Sequence, residues 1–254
     1  MRMDKATRLF IILGGFFIAN TLLAEFVGVK IFSLEATFGF NPNDWTLFGV
    51  TGLGFNLTAG VLLWPVVFVM TDIINEYYGK RGVKLLSGMA IGLVLYSFAM
   101  IYLSIWLEPN GWWKDVSGQV RGVDNMDVAY NSVFGQGLWI IIGSMVAFLV
   151  GQILDVTVFH RLKRITGESK IWLRATGSTL VSQFVDSFVV LIVAFYIGSD
   201  WDLWRVLAIG MVNYTYKFVL AIGLTPVLYW AHAIIDRYLG DEEASRLKLL
   251  AGKS

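Results

Sequence analysis

Residues 134–159 read FGQGLWIIIGSMVAFLVGQILDVTVF, twenty-six residues with one ionisable side chain, Asp155. A helix needs about 20 apolar residues to cross the hydrocarbon core of a bilayer. Five further stretches have the same character: 9–32, 58–77, 83–107, 175–197 and 203–230. Together they predict an all-α polytopic membrane protein with six transmembrane helices, residues 1–254 forming a single transmembrane domain. Composition agrees. Hydrophobic residues make up 56% and charged residues only 15%, against about 25% charged in soluble domains. Mean hydropathy is +0.65. The stretch 9–32 follows Arg2, Lys5 and Arg8 as a signal peptide would. Its apolar run exceeds the usual signal core of about 7–15 residues, so it is read as a span.

The basic residues orient the spans. Fifteen of the twenty Lys and Arg fall in four places: the N-terminus, the turn with Lys80, Arg81 and Lys84, the loop from Arg161 to Arg174, and the tail from Arg237. The opposite loops hold Lys114 and Arg121, and carry Glu35, Asp44, Glu108, Asp115, Asp124, Asp127, Asp200 and Asp202. Both termini are therefore expected in the cytoplasm. Trp45, Trp106, Trp112, Trp113, Trp139, Trp201 and Trp204 gather on the outer side as an aromatic belt. Three spans that start inside, followed by three that start outside, match the topology of a 3+3 inverted repeat, although no repeat shows in the residues themselves. The outer segment 33–57 leaves three readings open: a structured cap, a re-entrant piece or plain loop. The second long outer segment is 108–133.

Within the spans stand Glu25, Asp72, Glu76, Asp155, Asp186 and Lys217, accompanied by Asn20, Gln152, Gln183 and Asn213. An ionised side chain at mid-membrane costs about 2.5–3.5 kcal/mol even on mild insertion scales. Such residues must face the bundle interior, a partner or a wet cavity. Singly, each also reads as interhelical glue, and Glu76 and Asp155 also as interfacial carboxylates. As a set they read as a solute pathway. Asp72 and Glu76 are i, i+4 and share a helix face. Gln152 and Asp155 are i, i+3. Ser178, Ser182, Gln183 and Asp186 make a stripe on the fifth span, as Asn213, Tyr214 and Lys217 do on the sixth. At about 1.5 Å per residue, Asp186 and Lys217 lie near the midplane, and an Asp186–Lys217 pair is expected. Trp64, Phe68, Phe184 and Tyr214 suit either a flat ligand or ordinary packing. Gly88 and Gly92 read as a helix-packing pair, and Pro65 and Pro226 as kinks within spans.

The block 71–80, TDIINEYYGK, resembles the queuosine precursor transporter family. Two later blocks agree: 151–159, GQILDVTVF, with its basic loop, and WLR at 172–174 leading to GSTLVSQFVDS at 177–187. Tyr214 and Lys217 are a shorter echo, and the likeness runs over 58–230. The resemblance implies a multi-pass importer of the bacterial inner membrane. Its substrates would be 7-deazaguanine precursors of queuosine: the 7-cyano and 7-aminomethyl compounds or queuine. A guanine-like edge offers adjacent N–H donors that a carboxylate accepts in pairs, and its carbonyl and ring nitrogens suit Gln or Asn amides. The ring would stack on aromatics, and an aminomethyl cation would prefer a second carboxylate. The candidate substrate-binding set is Asp72, Glu76, Gln152, Asp155, Ser182, Gln183, Asp186, Asn213, Tyr214 and Lys217.

The partners expected are thus a small purine-like molecule and the lipid bilayer, with a homodimer left open. A net charge of +1 offers no nucleic-acid footprint. With no Cys and two His, neither a metal nor a cofactor is expected. The leading function is a secondary transporter, with proton coupling through a carboxylate left open. The alternatives are a membrane-embedded subunit energised by a separate ATPase chain, since no P-loop occurs here, an intramembrane acid–base enzyme, and a structural membrane protein. The enzyme reading lacks H-E-x-x-H, G-x-S-x-G and any Cys.

Overall fold

The computed structural model describes residues 3–115, 122–135, 137–166 and 170–252. Arg2, Arg121 and Lys253, which entered the charge argument, lie outside the described residues. Ten α-helices occur among those described: α1 (Lys5–Val27), α2 (Leu34–Thr37), α3 (Trp64–Trp106), α4 (Gly111–Lys114), α5 (Met126–Phe134), α6 (Leu138–Thr166), α7 (Ile171–Leu191), α8 (Leu203–Gly223), α9 (Thr225–Leu239) and α10 (Asp241–Gly252). A π-helical stretch, Ile192–Ile197, continues α7. Polar caps set several starts. Asp4 accepts the Thr7 N–H, Asn125 those of Asp127 and Val128, and Asp202 those of Trp204 and Arg205, each satisfying donors that a first turn leaves free. Among the described residues, five helical elements are long and apolar enough to cross a membrane: α1, α3, α6 with α5 before it, α7 with its π stretch, and α8.

The 43-residue α3 is not straight. At about 1.5 Å per residue it would measure about 65 Å, twice the hydrocarbon thickness. Gly79 breaks it, with φ 66° and ψ −168°, a conformation open in practice only to glycine. Contacts with α1 give the direction of each half. Gly60, just before α3, lies against the Ala24 carbonyl, and Tyr78 donates to the Ala6 carbonyl at 2.7 Å. Beyond the turn, Leu86 meets Gly14 and Phe98 meets Phe26 with ring centroids 6.0 Å apart. The half before Gly79 therefore runs antiparallel to α1, and the half after it runs parallel. Lys5 donates to the Tyr238 carbonyl at 2.9 Å. The start of α1, the Gly79 turn and the end of α9 thus share one end of the bundle.

Several expected boundaries move. Phe32 belongs to a short strand, not to the first span, because α1 ends at Val27 with Gly28 as its cap. Pro65 sits in the first turn of α3, where its missing N–H costs nothing, so it opens a helix instead of kinking one. The span 203–230 is divided: α8 stops at Gly223, and α9 starts afresh with Pro226 in its first turn. The segment 33–57 is a structured cap. Its strands β1 (Ile31–Ser33) and β4 (Asn56–Thr58) pair antiparallel, as do β2 (Trp45–Leu47) and β3 (Val50–Leu53). Glu35 ties the cap together, accepting from Asn43 Nδ2 and the Phe55 N–H at 2.9 Å each, and from Ser33 Oγ at 3.1 Å.

The main core joins α1, both halves of α3, α6, α7, α9 and α10 around Phe17, Val67, Ile74, Tyr77, Ala90, Phe159 and Ala175. Small residues let helices approach: a Cβ at Gly210 would stand 2.7 Å from the Phe188 ring. Gly88 and Gly92 differ. Among the described residues nothing stands within 4 Å of a Cβ built at either, so this pair packs against no described helix. Ile11, Ile12, Phe16, Leu23, Leu95, Tyr96 and Val219 point outward, as apolar side chains do when lipid is the solvent.

Candidate functional site

A cavity opens between the first half of α3 and helices α7, α8 and α9, with about 610 Å³ of empty space, its open mouth included. Trp64, Phe68 and Asp72 recur at i, i+4 along α3 and line it as one stripe. Thr176, Thr179 and Gln183 do the same from α7, Tyr216 and Lys217 from α8, and Thr225 from α9. The rings of Trp64 and Phe68 are stacked, centroids 6.2 Å apart and planes 30° apart. Thr176 and Thr225 share a hydrogen bond of 3.0 Å across the α7–α9 side.

The polar wall carries unspent hydrogen-bonding capacity. Asp72 Oδ2 accepts from Thr179 Oγ1 at 3.4 Å, and Oδ1 has no partner among the described residues. Gln183 Nε2 likewise has none. Buried polar atoms are usually paired, so an acceptor and a donor left free on one cavity wall mark a place where a ligand edge would satisfy both. Lys217 Nζ bonds Asp186 Oδ2 at 2.5 Å, which joins the two residues expected to pair.

A second polar layer lies behind the cavity. Gln152 Nε2 donates to Thr71 Oγ1 at 3.2 Å, and Ser182 Oγ donates to Asp155 Oδ1 at 3.3 Å. Asp155 is 1% exposed, and its Oδ2 has no partner among the described residues. Glu76, on the same stripe as Asp72, does not reach the cavity lining. Arg174 forks onto its carboxylate, Nη2 to Oε1 at 2.7 Å and Nε to Oε2 at 3.2 Å, and Lys163 Nζ stands 3.3 Å from Oε1. Asn213 is half-buried and outside the lining. Tyr214 also lies outside it and meets Phe184 edge to face, centroids 5.0 Å apart. Of the ten candidates, the structure brings Asp72, Gln183 and Lys217 to the cavity. Asp186 is held against Lys217, and Gln152, Asp155 and Ser182 are arranged behind. Of the four aromatic candidates, Trp64 and Phe68 form a wall, while Phe184 and Tyr214 pack on each other.

Sequence reasoning passed over Thr176, Thr179, Tyr216 and Thr225. The first two had a signal in their i, i+3 spacing to each other and the i, i+4 spacing of Thr179 to Gln183. In the sequence Lys163 and Arg174 stand as loop charges that orient the protein, Arg174 also within the WLR block of the resemblance. Both are buried, Arg174 completely, and only the fold reveals their partner. Among the described residues no three His, Asp or Glu side chains gather as a metal site.

Residues 58–231 match the family described as "Putative vitamin uptake transporter". A "Probable queuosine precursor transporter" of Bacillus subtilis (strain 168) is 30% identical over 200 residues, 78% of each chain. A "Queuosine precursor transporter" of Escherichia coli (strain K12) is 27% identical over 68% of this chain and 71% of its own. A "Probable queuosine precursor transporter" of Haemophilus influenzae (strain ATCC 51907 / DSM 11121 / KW20 / Rd) is 27% identical over 67% of this chain and 66% of its own. No solved structure matches the chain. The relatives are transporters and not enzymes, and the long apolar helices make this a multi-pass bacterial membrane protein. On the family match and the identity to these relatives, the chain belongs to the queuosine precursor transporter family.

Proposed function

We propose that the protein imports 7-deazaguanine precursors of queuosine (7-cyano-7-deazaguanine, 7-aminomethyl-7-deazaguanine or queuine) across the bacterial inner membrane as a secondary transporter. One observation carries the reading: the free acceptor of Asp72 and the free donor of Gln183 share a cavity with the stacked Trp64 and Phe68. A deazaguanine needs those three things, a carboxylate for adjacent N–H donors, an amide for its carbonyl, and a flat apolar wall for its ring. The names of the three relatives support the same substrate class. Asp72, Gln183, Thr179 and Lys217 then contact the ligand. Gln152, Asp155, Ser182 and Asp186 hold the wall behind them, and Asn213, Tyr214 and Glu76 act at its margins.

The same reading makes the chain one transmembrane domain of six spans: α1, the two halves of α3, α6, α7 with its π stretch, and α8. The end holding the Gly79 turn, α9 and α10 faces the cytoplasm, with both termini inside. Two triplets of spans in opposite orientation then meet at the cavity as inverted repeats do.

Expression in a cell lacking both precursor synthesis and its own importer should restore queuosine in tRNA at low external precursor. No rescue by well-expressed, correctly inserted protein overturns the substrate assignment. Uptake by the purified protein in vesicles separates a secondary transporter from a subunit that needs an ATPase. Asp72→Asn should weaken precursor binding about ten- to a hundredfold, the worth of one charge-assisted hydrogen bond. Asp124→Asn, on the exposed segment before α5, should leave it unchanged.

A further inference from the structure

Asp72 on α3 and Asp155 on α6 both accept hydrogen bonds from hydroxyls of α7. Both lie against the same turn of α7: Thr179 Oγ1 donates to Asp72 Oδ2 at 3.4 Å and Ser182 Oγ to Asp155 Oδ1 at 3.3 Å. Each carboxyl keeps one buried oxygen with no partner among the described residues, Oδ1 of Asp72 and Oδ2 of Asp155. The charged groups nearby are already engaged. On α3, Glu76 holds Arg174 of α7 and Lys163 of α6. On α7, Asp186 holds Lys217 of α8. On α1, Glu25 takes the Ser144 hydroxyl at 2.9 and 2.8 Å. Gln152 and Gln183 are neutral. Among the described residues, the side chains that hydrogen-bond these two acids are hydroxyls. Two like charges buried side by side cannot both be kept ionised cheaply.

We propose that Asp72 and Asp155 together form a proton-binding site that couples proton entry to passage of the substrate. This rests on the importer reading and names the coupling element within it. One proton binds the pair and takes it from two negative charges to one, its O–H lying on one carboxyl at a time. Asp72 lines the cavity and Asp155 does not. A ligand that presents N–H donors to Asp72 favours the ionised form there, so the shared proton rests on Asp155. Occupied by ligand and proton together, the bundle has one fewer buried charge to carry through its rearrangement. By reciprocity, whatever factor the proton contributes to ligand affinity, the ligand contributes to proton affinity.

Two measurements test this. The first needs no substrate: infrared titration of the purified protein. The wild type should show the absorption of a protonated carboxylic acid near neutral pH, which Asp72→Asn/Asp155→Asn lacks. Identical carboxyl absorption in the two proteins across the neutral range overturns the proton site. The second uses vesicles and labelled 7-aminomethyl-7-deazaguanine. An inward proton gradient should drive the wild type to accumulate it, and a protonophore should abolish the accumulation. In Asp155→Asn accumulation should be lost, whereas counterflow, which needs no net proton movement, should fall less. Accumulation by Asp155→Asn to the wild-type level, or wild-type accumulation indifferent to the protonophore, overturns the coupling. Failure of the wild type to show any counterflow overturns the importer reading and the coupling with it, while the titration still decides the proton site.

Discussion

Replacing Arg174 by Met removes a guanidinium with no solvent exposure that forks onto Glu76 through contacts of 2.7 and 3.2 Å. Met keeps much of the stem's bulk, so the loss falls on the charge. Each charge-assisted hydrogen bond is worth about 1.5–3 kcal/mol. Breaking a buried pair from one side costs about 3–5 kcal/mol, because the survivor keeps an uncompensated charge. Here Lys163 Nζ remains 3.3 Å from Glu76 Oε1 and limits that penalty. The expected loss is therefore at the lower end, about 3 kcal/mol. Thermal unfolding in detergent should register it as a drop of about 6–12 °C in Tm, at roughly 2–4 °C per kcal/mol for a chain of this size. The double variant Glu76→Gln/Arg174→Met should lose less than the sum of the two single changes by about 1 kcal/mol or more. A shift below about 2 °C for Arg174→Met, or additivity of the two changes within about 0.5 kcal/mol, would refute the view that this buried ion pair stabilises the packing of α3 against α7.

The Lys217–Asp186 bond predicts that Lys217→Met lowers both stability and transport, and that adding Asp186→Asn recovers part of the stability. A double-mutant cycle on thermal stability reads the coupling, and strict additivity removes the pair. Gly79→Ala places a Cβ at φ 66° and ψ −168°. It should cost at least about 1–3 kcal/mol, measured as a lower Tm. At Glu35, burial pulls the carboxyl pKa up. Hydrogen bonds from the Phe55 N–H, its own N–H, Ser33 and Asn43 outweigh that and leave the pKa below the ordinary value. Its contribution to the cap is thus present above the ordinary Glu value of about 4.3 and is lost as pH falls through the lower folded value. Proteolysis of the 39–52 segment should accelerate under those acid conditions in the wild type. A Glu35→Gln variant should be cut faster at neutral pH and show less acid dependence.

The membrane class was legible in the sequence because hydrophobicity is a one-dimensional property. Twenty-six residues with Asp155 as the lone ionisable group admit few other readings, and the TDIINEYYGK block marked the family before any fold was known. The polar stripes were legible too, since i, i+4 spacing fixes a shared face on any helix. So was the Asp186–Lys217 pair, because a lone ammonium at mid-span needs an acid close by. What a stripe faces is a matter of three dimensions. Asp72 and Glu76 lie one turn apart on one face, yet Asp72 meets the cavity while Glu76 meets Arg174, ninety-eight residues away in sequence. The same holds for Gly88 and Gly92, whose spacing suits helix packing but whose face has no neighbour among the described residues. Segment 33–57 showed no periodicity to read, because its order comes from Glu35 collecting donors from Ser33, Asn43 and Phe55 instead of from a repeating pattern. Local spacing set which residues share a face. Only tertiary packing decided which acids met a cation and which were left facing hydroxyls, because a buried charge is balanced by whatever side chain the fold brings within hydrogen-bonding distance.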